Sequence, residues 1–428
     1  MINNKEQLIK IIDFWNKSAK SDKLFSRALV PELDLKSKEI VDLVGPRRSG
    51  KSSILKLVIK ELKLLDNFLY INFEDPFFVA NNSARIIEDL VEVFLEYFNT
   101  GLRYIFFDEI QEIFGWEKAL RKFRDAAKYK IFIAGSSSKL LSSEMATSLT
   151  GRHQSYRVFP LSFLEFLAFK GVAALSRKER ILNEQKIVKN FDEFLAIGGF
   201  PEAALTGEKE LLKNYFYDIL QKDVAARREI RDKGALEKMG VYLLSNSAKI
   251  ISLESLKNLL NLSYFSANAY LNYLKDAFLV FDVPQFSYSL KKQEKAFKKT
   301  YAIDTGLADA VSFKFSEDKG RLLENAVALE LLKQGKIIFY YRGQGNSEAD
   351  FLIKEKLKVK QAIQVCWSLA DKKTRAREIS GLAAAMGEFK LKEGLILTYA
   401  EEEIIKTEQG KIFIQPATKW ILGQSGAK

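Results

Sequence analysis

The chain has 428 residues, and its 47% hydrophobic and 29% charged content with only seven prolines describes two to four folded modules joined by short connections. One cysteine, Cys366, excludes a disulfide framework, and one histidine, His153, leaves too few soft ligands for a structural zinc, so any metal is expected to be oxygen-ligated. The excess of 67 Lys plus Arg over 55 Asp plus Glu, a net charge of +12, permits a polyanionic partner without requiring one.

In chain order, MINNKEQLIKIIDFW begins polar and reads as an amphipathic helix, without the apolar core of a signal peptide. No run approaches about 18 uninterrupted apolar residues, so no membrane partner is expected and the cytoplasm is the expected compartment. The first 160 residues alternate apolar runs with helical patterns. That predicts a parallel sheet with crossover helices, its strands at Glu39–Val44, Phe68–Phe73, Arg103–Phe107 and Lys130–Ala134. From Leu161 to about Arg231 the pattern is helical, interrupted by Gly198-Gly199-Phe200-Pro201, and predicts a helical lid. Three short helices are expected over 235–285, and from 286 short strands return around the helix Arg321–Lys333. The expected domains are 1–160, 161–234, 235–286 and 287–428.

Gly45-Pro46-Arg47-Arg48-Ser49-Gly50-Lys51-Ser52 matches G-x-x-x-x-G-K-[ST] between an apolar strand and the predicted helix Ser53–Lys63. Its backbone N–H groups would wrap phosphate oxygens at a helix N-terminus; Lys51 would reach the β- and γ-phosphates, and Ser52 would offer its hydroxyl to Mg²⁺. Tyr104-Ile-Phe-Phe-Asp108-Glu109 is an apolar strand delivering two carboxylates to the edge where open parallel sheets bind ligands. Asp108 would hold Mg²⁺ through water and Glu109 would act as general base. Ile131-Phe-Ile-Ala-Gly135-Ser136-Ser137-Ser138 ends a further strand in hydroxyls, and Ser136 or Ser137 could orient water or touch the γ-phosphate. Arg152, after a helix end at Gly151, is either a stabiliser of phosphoryl transfer or a surface charge beyond a C-cap. No G-x-S-x-G elbow occurs, and His153 reads as a packed or hydrogen-bonded residue rather than a base.

Gly45–Ser52, Phe107-Asp-Glu-Ile-Gln111, Gly135-Ser-Ser-Ser-Lys-Leu-Leu141, Leu149-Thr-Gly-Arg152, Pro160-Leu-Ser-Phe-Leu-Glu-Phe166 and Gly198-Gly-Phe-Pro201 together resemble a family of archaeal and bacterial AAA-type ATPases, over nearly the whole chain. The resemblance implies an AAA+ P-loop core with an extra strand between the two Walker strands, and ATP rather than GTP. It makes Ser136 or Ser137 the sensor position, Arg152 the arginine-finger candidate in cis or in trans, and the Gly-Gly-Phe-Pro turn a lid element. A finger acting in trans would require a homo-oligomer.

Beyond the core, Ile250–Phe286 reads as helix, turn, helix and strand, which suits the winged helix that the resemblance also implies. Leu253, Leu256, Leu259 and Leu260 are the expected apolar face of its first helix; Phe265, Ala269, Tyr273 and Leu274 that of its recognition helix, Tyr264–Ala277. Ser266, Asn268, Asn272 and Lys275 would then face DNA. Lys291, Lys292, Lys295, Lys298 and Lys299 offer DNA backbone contacts or, equally, a solvated strand edge. The last domain, with Glu324 on its helix, Glu348-Ala-Asp350 and then Gln364-Val-Cys366, resembles the PD-(D/E)XK nuclease fold. An active member would carry an acid and a lysine where Gln364 and Cys366 stand, so an inactive nuclease-like domain is expected, with Glu324 and Asp350 as a weak second metal site. Cys366 reads as a small buried hydrophobe. The fold class is thus α/β: an AAA+ P-loop core, helical lid, winged helix and restriction-endonuclease-like domain. The leading functional reading is an Mg²⁺-dependent ATPase working as a conformational switch; the alternative is an ATP-controlled DNA-binding protein with residual nuclease function.

Overall fold

The computed structural model describes residues 2–21, 24–135, 149, 151–226, 228, 230–312, 318–344 and 347–424. They form two compact units, 1–159 and 160–428.

In the first unit, helix α1 (Ile2–Ser21) precedes β1 (Ile40–Val44), α2 (Lys51–Glu61), β2 (Phe68–Asn72), α3 (Ala84–Tyr97), β3 (Tyr104–Asp108), α4 (Trp116–Asp125), β4 (Lys130–Gly135) and β5 (His153–Arg157). The strands form one parallel sheet in the order β2-β3-β4-β1-β5. Strands buried on both faces read as continuous apolar runs, and every residue of β1 is buried. β4 lies between β1 and β3, as the family resemblance implies. Ile54, Leu55 and Val58 of α2 pack onto Val41, Leu43, Phe106 and Phe132, with Phe106 and Phe132 stacked at 4.8 Å. The open edge of β2 is covered by α1, whose Asn16 accepts from Tyr70 N–H at 2.8 Å and donates to the Phe68 carbonyl at 3.3 Å. α2 starts at Lys51, two residues earlier than the sequence pattern predicts, so the phosphate-loop lysine and serine occupy its first turn.

In the second unit, α5 (Phe163–Phe169), α6 (Glu184–Ile197), α7 (Pro201–Thr206), α8 (Lys209–Asp218) and α9 (Lys233–Ser245) lead to β6 (Lys249–Ile251), α10 (Leu253–Leu260), α11 (Tyr264–Asp276), β7 (Val280–Pro284) and β8 (Lys298–Ala302). Then come α12 (Thr305–Val311), α13 (Lys319–Lys333), β9 (Ile337–Arg342), β10 (Glu348–Glu355), β11 (Lys358–Val365), α14 (Lys372–Phe389), β12 (Glu393–Thr398), β13 (Glu403–Thr407), β14 (Gly410–Pro416) and α15 (Ala417–Gln424). β6, β8 and β7 form a small antiparallel sheet beside α10 and α11, while the last six strands form a mixed sheet in the order β13-β14-β12-β11-β10-β9. α14 covers one face of that sheet through Leu382, Ala385 and Met386.

Two packing relationships bear on the expected domain bounds. The segment expected as a separate lid over 161–234 does not stand alone: Phe163, Phe166, Phe191 and Phe194 share one core with Leu323, Val327, Phe351 and Leu397 of the C-terminal sheet and helix. Large apolar side chains bury where the most partner surface lies, and here that surface is far along the sequence. The small sheet also extends past 286, because β8 inserts between β6 and β7. The Gly-Gly-Phe-Pro turn is held by the second unit's own residues. Gly198 takes φ 75° with Asp304 so close that a Cβ would meet its carboxylate at 1.9 Å, and Asp304 Oδ2 accepts from Gly199 N–H at 2.6 Å.

Candidate nucleotide-binding site

The phosphate loop leaves the C-terminal end of β1 and turns through two left-handed residues, Arg48 (φ 68°) and Gly50 (φ 95°), before α2 begins. Gly45 is fixed by space: a Cβ there would lie 2.1 Å from the Val158 carbonyl oxygen. Buried Arg27 donates to the carbonyls of Ser49 (2.9 Å) and Phe159 (2.8 Å), tying the loop to the segment that leaves β5. Lys51 is buried at the loop centre and donates to the carbonyls of Gly45 (3.1 Å) and Pro46 (2.9 Å). Arg47 turns to Glu74 at 2.7 Å.

Asp108 ends β3 fully buried. Its Oδ2 accepts from the Tyr70 hydroxyl at 3.1 Å, its Oδ1 accepts from Glu109 N–H at 3.1 Å, and the Ser52 hydroxyl lies near enough to favour its charged form. Burial first, and the charge of Glu109 second, push the Asp108 carboxyl up to about 6, against the Ser52 hydroxyl, the Lys51 charge and Tyr70. Glu109 is nearly buried in a left-handed backbone conformation, and its Oε2 accepts from Gln111 Nε2. The loop, Lys51, Ser52, Asp108 and Glu109 therefore meet at one edge of the sheet.

These groups fit a polyphosphate with Mg²⁺. An ammonium and a helix N-terminus oppose anionic charge, and a hydroxyl with an adjacent carboxylate supplies hard oxygen ligands. Among the described residues no group of three or more His, Cys, Asp or Glu side chains could hold a metal ion.

Residues 37–167 match the family described as an AAA domain, and 188–318 and 319–420 match two domains of unknown function (DUF8612 and DUF4143). An uncharacterized protein of Methanocaldococcus jannaschii is 37% identical over 94% of this chain and 92% of its own length. The chain belongs to this AAA-domain family. A second family member, an uncharacterized protein of Haemophilus influenzae, is 30% identical over 68% of this chain and 74% of its own. Among solved structures, the Aeropyrum pernix ORC1 protein in complex with DNA aligns with 66% of this chain and 88% of its own at 11% identity and a TM-score of 0.28; the placement in the AAA family rests instead on the matched domain, the strand order and the loop.

Not every residue singled out in the sequence comes to the site. Ser136 and Ser137 lie outside the described residues. Arg152 is not brought to the loop of its own chain. It precedes β5, whose first residue pairs with Ile40 at the start of β1, so it sits at the opposite end of the strands and donates to Asp125 at 3.2 Å. His153 is hydrogen-bonded, its Nδ1 3.3 Å from Ser155 Oγ, and burial lowers its pKa. Tyr70 and Arg27 were missed, and Gln111, quoted only within a motif, was given no role: their side chains reach the site through register and turn geometry, which spacing does not encode. Among the described residues no helix is long and apolar enough to cross a membrane.

The second acidic pair also forms, though not as an open metal site. Lys299 Nζ lies between Asp350 Oδ1 (2.7 Å) and Glu324 Oε1 (3.1 Å), and Tyr301 donates to the same Glu324 oxygen at 2.7 Å. Burial works against the Lys299 ammonium, but the charges of Asp350 and Glu324 more than reverse this and raise its pKa. Burial, then the Asp350 charge, push Glu324 up to about 7. An ammonium thus stands where a weak Mg²⁺ site was expected. Gln364 is spent on structure, accepting from Asp350 N–H at 3.1 Å and donating to Glu378 at 2.6 Å. Buried Lys299 also leaves the expected DNA-facing run, whereas Lys291, Lys292 and Lys295 are exposed. Cys366 is partly buried, and burial followed by the Glu378 charge pushes its thiol up to about 11.

On α11, the buried face is Ala267, Tyr270 and Leu274, while Phe265, expected inside, is 82% exposed; Leu259 of α10 is likewise exposed. Asn268 and Asn272 are exposed as expected, but Lys275 pairs with Asp282, which cancels its charge on that helix.

Proposed function

We propose that this chain binds ATP with Mg²⁺, hydrolyses it, and uses the cycle to reset its C-terminal unit, as a nucleotide-driven switch. The observation that carries the reading is the placement of Ser52, in the first turn of α2, beside the buried carboxylate that ends β3, with Glu109 adjacent. The main-chain N–H groups of Gly45, Pro46, Arg47, Arg48, Ser49 and Gly50, excepting the proline nitrogen, and those of Lys51, Ser52 and Ser53 would surround the phosphates. Ser52 and Asp108 would hold Mg²⁺, which when bound neutralises charge developing on the phosphate oxygens. Lys51 offsets the same charge. Glu109 takes a proton from water while the water oxygen bonds to the terminal phosphorus; the bond to the bridging oxygen breaks, and its electrons leave on ADP. Tyr70 keeps Asp108 aimed at Ser52.

The test pairs two variants in calorimetry and phosphate-release assays. Lys51→Ala should lose ATP binding; Glu109→Gln should retain binding and stop turnover. Undiminished hydrolysis by the glutamine variant would remove Glu109 as the base.

A second reading is ATP-controlled DNA binding. The segment 233–302, four helices with a sheet in the order β6-β8-β7, is read as a winged helix. A cleft of about 360 Å³ is lined by Asn268 and Asn272 of α11 and by Lys295 and Lys298. With Gln364 in place of an acid and Lys299 between Glu324 and Asp350, residual nuclease function is the least supported part of this reading.

A further inference from the structure

We propose that Gln111 is the positioning residue for Glu109, holding its carboxylate in the orientation that accepts a proton from water; this rests on the reading of Glu109 as the base. Where β3 stops, Glu109 adopts φ 50° and ψ 42°, a conformation uncommon for a residue with a Cβ. That reversal starts a 3₁₀ turn, Ile110–Glu112, closed by Glu112 N–H to the Glu109 carbonyl at 3.0 Å and anchored by buried Ile110 and Ile113. The turn folds Gln111 back, so that its Nε2 donates to Glu109 Oε2.

The other end of the amide explains why this contact concerns Glu109 and not packing in general. Gln111 Oε1 is buried and has no hydrogen-bond partner among the described residues, a costly state for an acceptor. Reversing the amide would set that oxygen against the carboxylate, so the charge on Glu109 dictates the orientation. Once Glu109 has taken the proton, the same amide turned over can accept the new O–H through Oε1. A carboxamide therefore serves both protonation states of a base. A lysine or arginine in its place would favour only the charged state and oppose proton uptake.

Three full-length variants test this. Gln111→Glu keeps the shape but removes the donor and adds charge; Gln111→Leu keeps bulk without hydrogen bonding; Gln111→His keeps a ring N–H at similar reach. All three should bind ATP with Kd within about twofold of the parent, because Gln111 bonds Glu109 and is not part of the phosphate loop. The glutamate and leucine variants should lose on the order of 10- to 100-fold in kcat, part of what a positioned base contributes, and the histidine variant should recover most of that loss. An unchanged kcat in the glutamate and leucine variants, a fall in ATP affinity matching the fall in rate, or a histidine variant no faster than the leucine one would each overturn the inference. Glu109→Gln separates the two levels: if it stops turnover while the Gln111 variants do not slow, only the positioning role fails; if it hydrolyses normally, the base fails and the positioning role with it.

Discussion

Lys299 on β8 donates to Asp350 on β10 at 2.7 Å, binding the small antiparallel sheet to the C-terminal one by a charge held out of water. Removing one partner of a buried ion pair leaves the others uncompensated. Lys299→Met should therefore destabilise the protein by about 3–5 kcal/mol, read as a fall in the thermal unfolding midpoint. Adding Glu324→Gln and Asp350→Asn to the same chain should recover much of that loss. A single methionine variant as stable as the parent would show that the ammonium is dispensable.

Gly45→Ala should abolish ATP binding with the fold otherwise intact by circular dichroism. The added methyl meets the Val158 carbonyl at 2.1 Å, so either the loop or the exit from β5 must move, and the phosphate-facing amides move with it. Retained calorimetric binding would mean that the loop tolerates the shift.

If Arg152 is a finger, it must act on another copy, since it lies at the far end of the strands from its own loop. Arg152→Ala should then slow turnover by about 10³–10⁵, and mixing it with Lys51→Ala chains should restore activity by pairing an intact site with an intact finger. Mixed samples no faster than the sum of their parts would remove the trans role.

Asp42, buried in the middle of β1, accepts from Ser155 at 2.8 Å, and its second oxygen has no partner among the described residues. Burial pushes its carboxyl up to about 7 against the Ser155 hydrogen bond. Between its ordinary value of 3.8 and about 7 the folded chain thus binds more protons than the unfolded chain, so Asp42 makes stability fall as pH rises through that window. Asp42→Asn should match the parent near pH 4 and exceed it by roughly 1–3 kcal/mol at pH 8. Thermal midpoints across pH check this; parallel curves for the two proteins would contradict it. Asp304, pushed up to about 6 by burial, adds a slope of the same sign that both proteins share.

DNA binding, if present, should draw on Lys291, Lys292, Lys295 and Lys298 and not on buried Lys299. Replacing the four with alanine should lower the slope of log K against log salt by roughly one for each lysine that meets a phosphate. No binding by the parent at low salt would dispose of this reading.

The core and its loop were legible because their signals are local. An apolar run, a glycine pattern and a helix adjoin in the chain from Ile40 to Glu61, and the run Tyr104–Asp108 carries its acids at the end where parallel sheets bind. Backbone approach and strand direction follow from residue type within a few positions, so no distant contact is needed to read them.

Other features arise where distant segments meet. Lys299 looked like one more surface lysine until β8 entered the small sheet and met Glu324 and Asp350; the phenylalanines of α5 and α6 looked like a lid's until they joined the C-terminal core. Phe265 kept a helical period that suited burial, yet faces solvent because Ala267, Tyr270 and Leu274 met the partner surface first. Periodicity along a chain says which residues can share a face, while burial and charge compensation depend on what lies opposite, and that is set only when the elements pack.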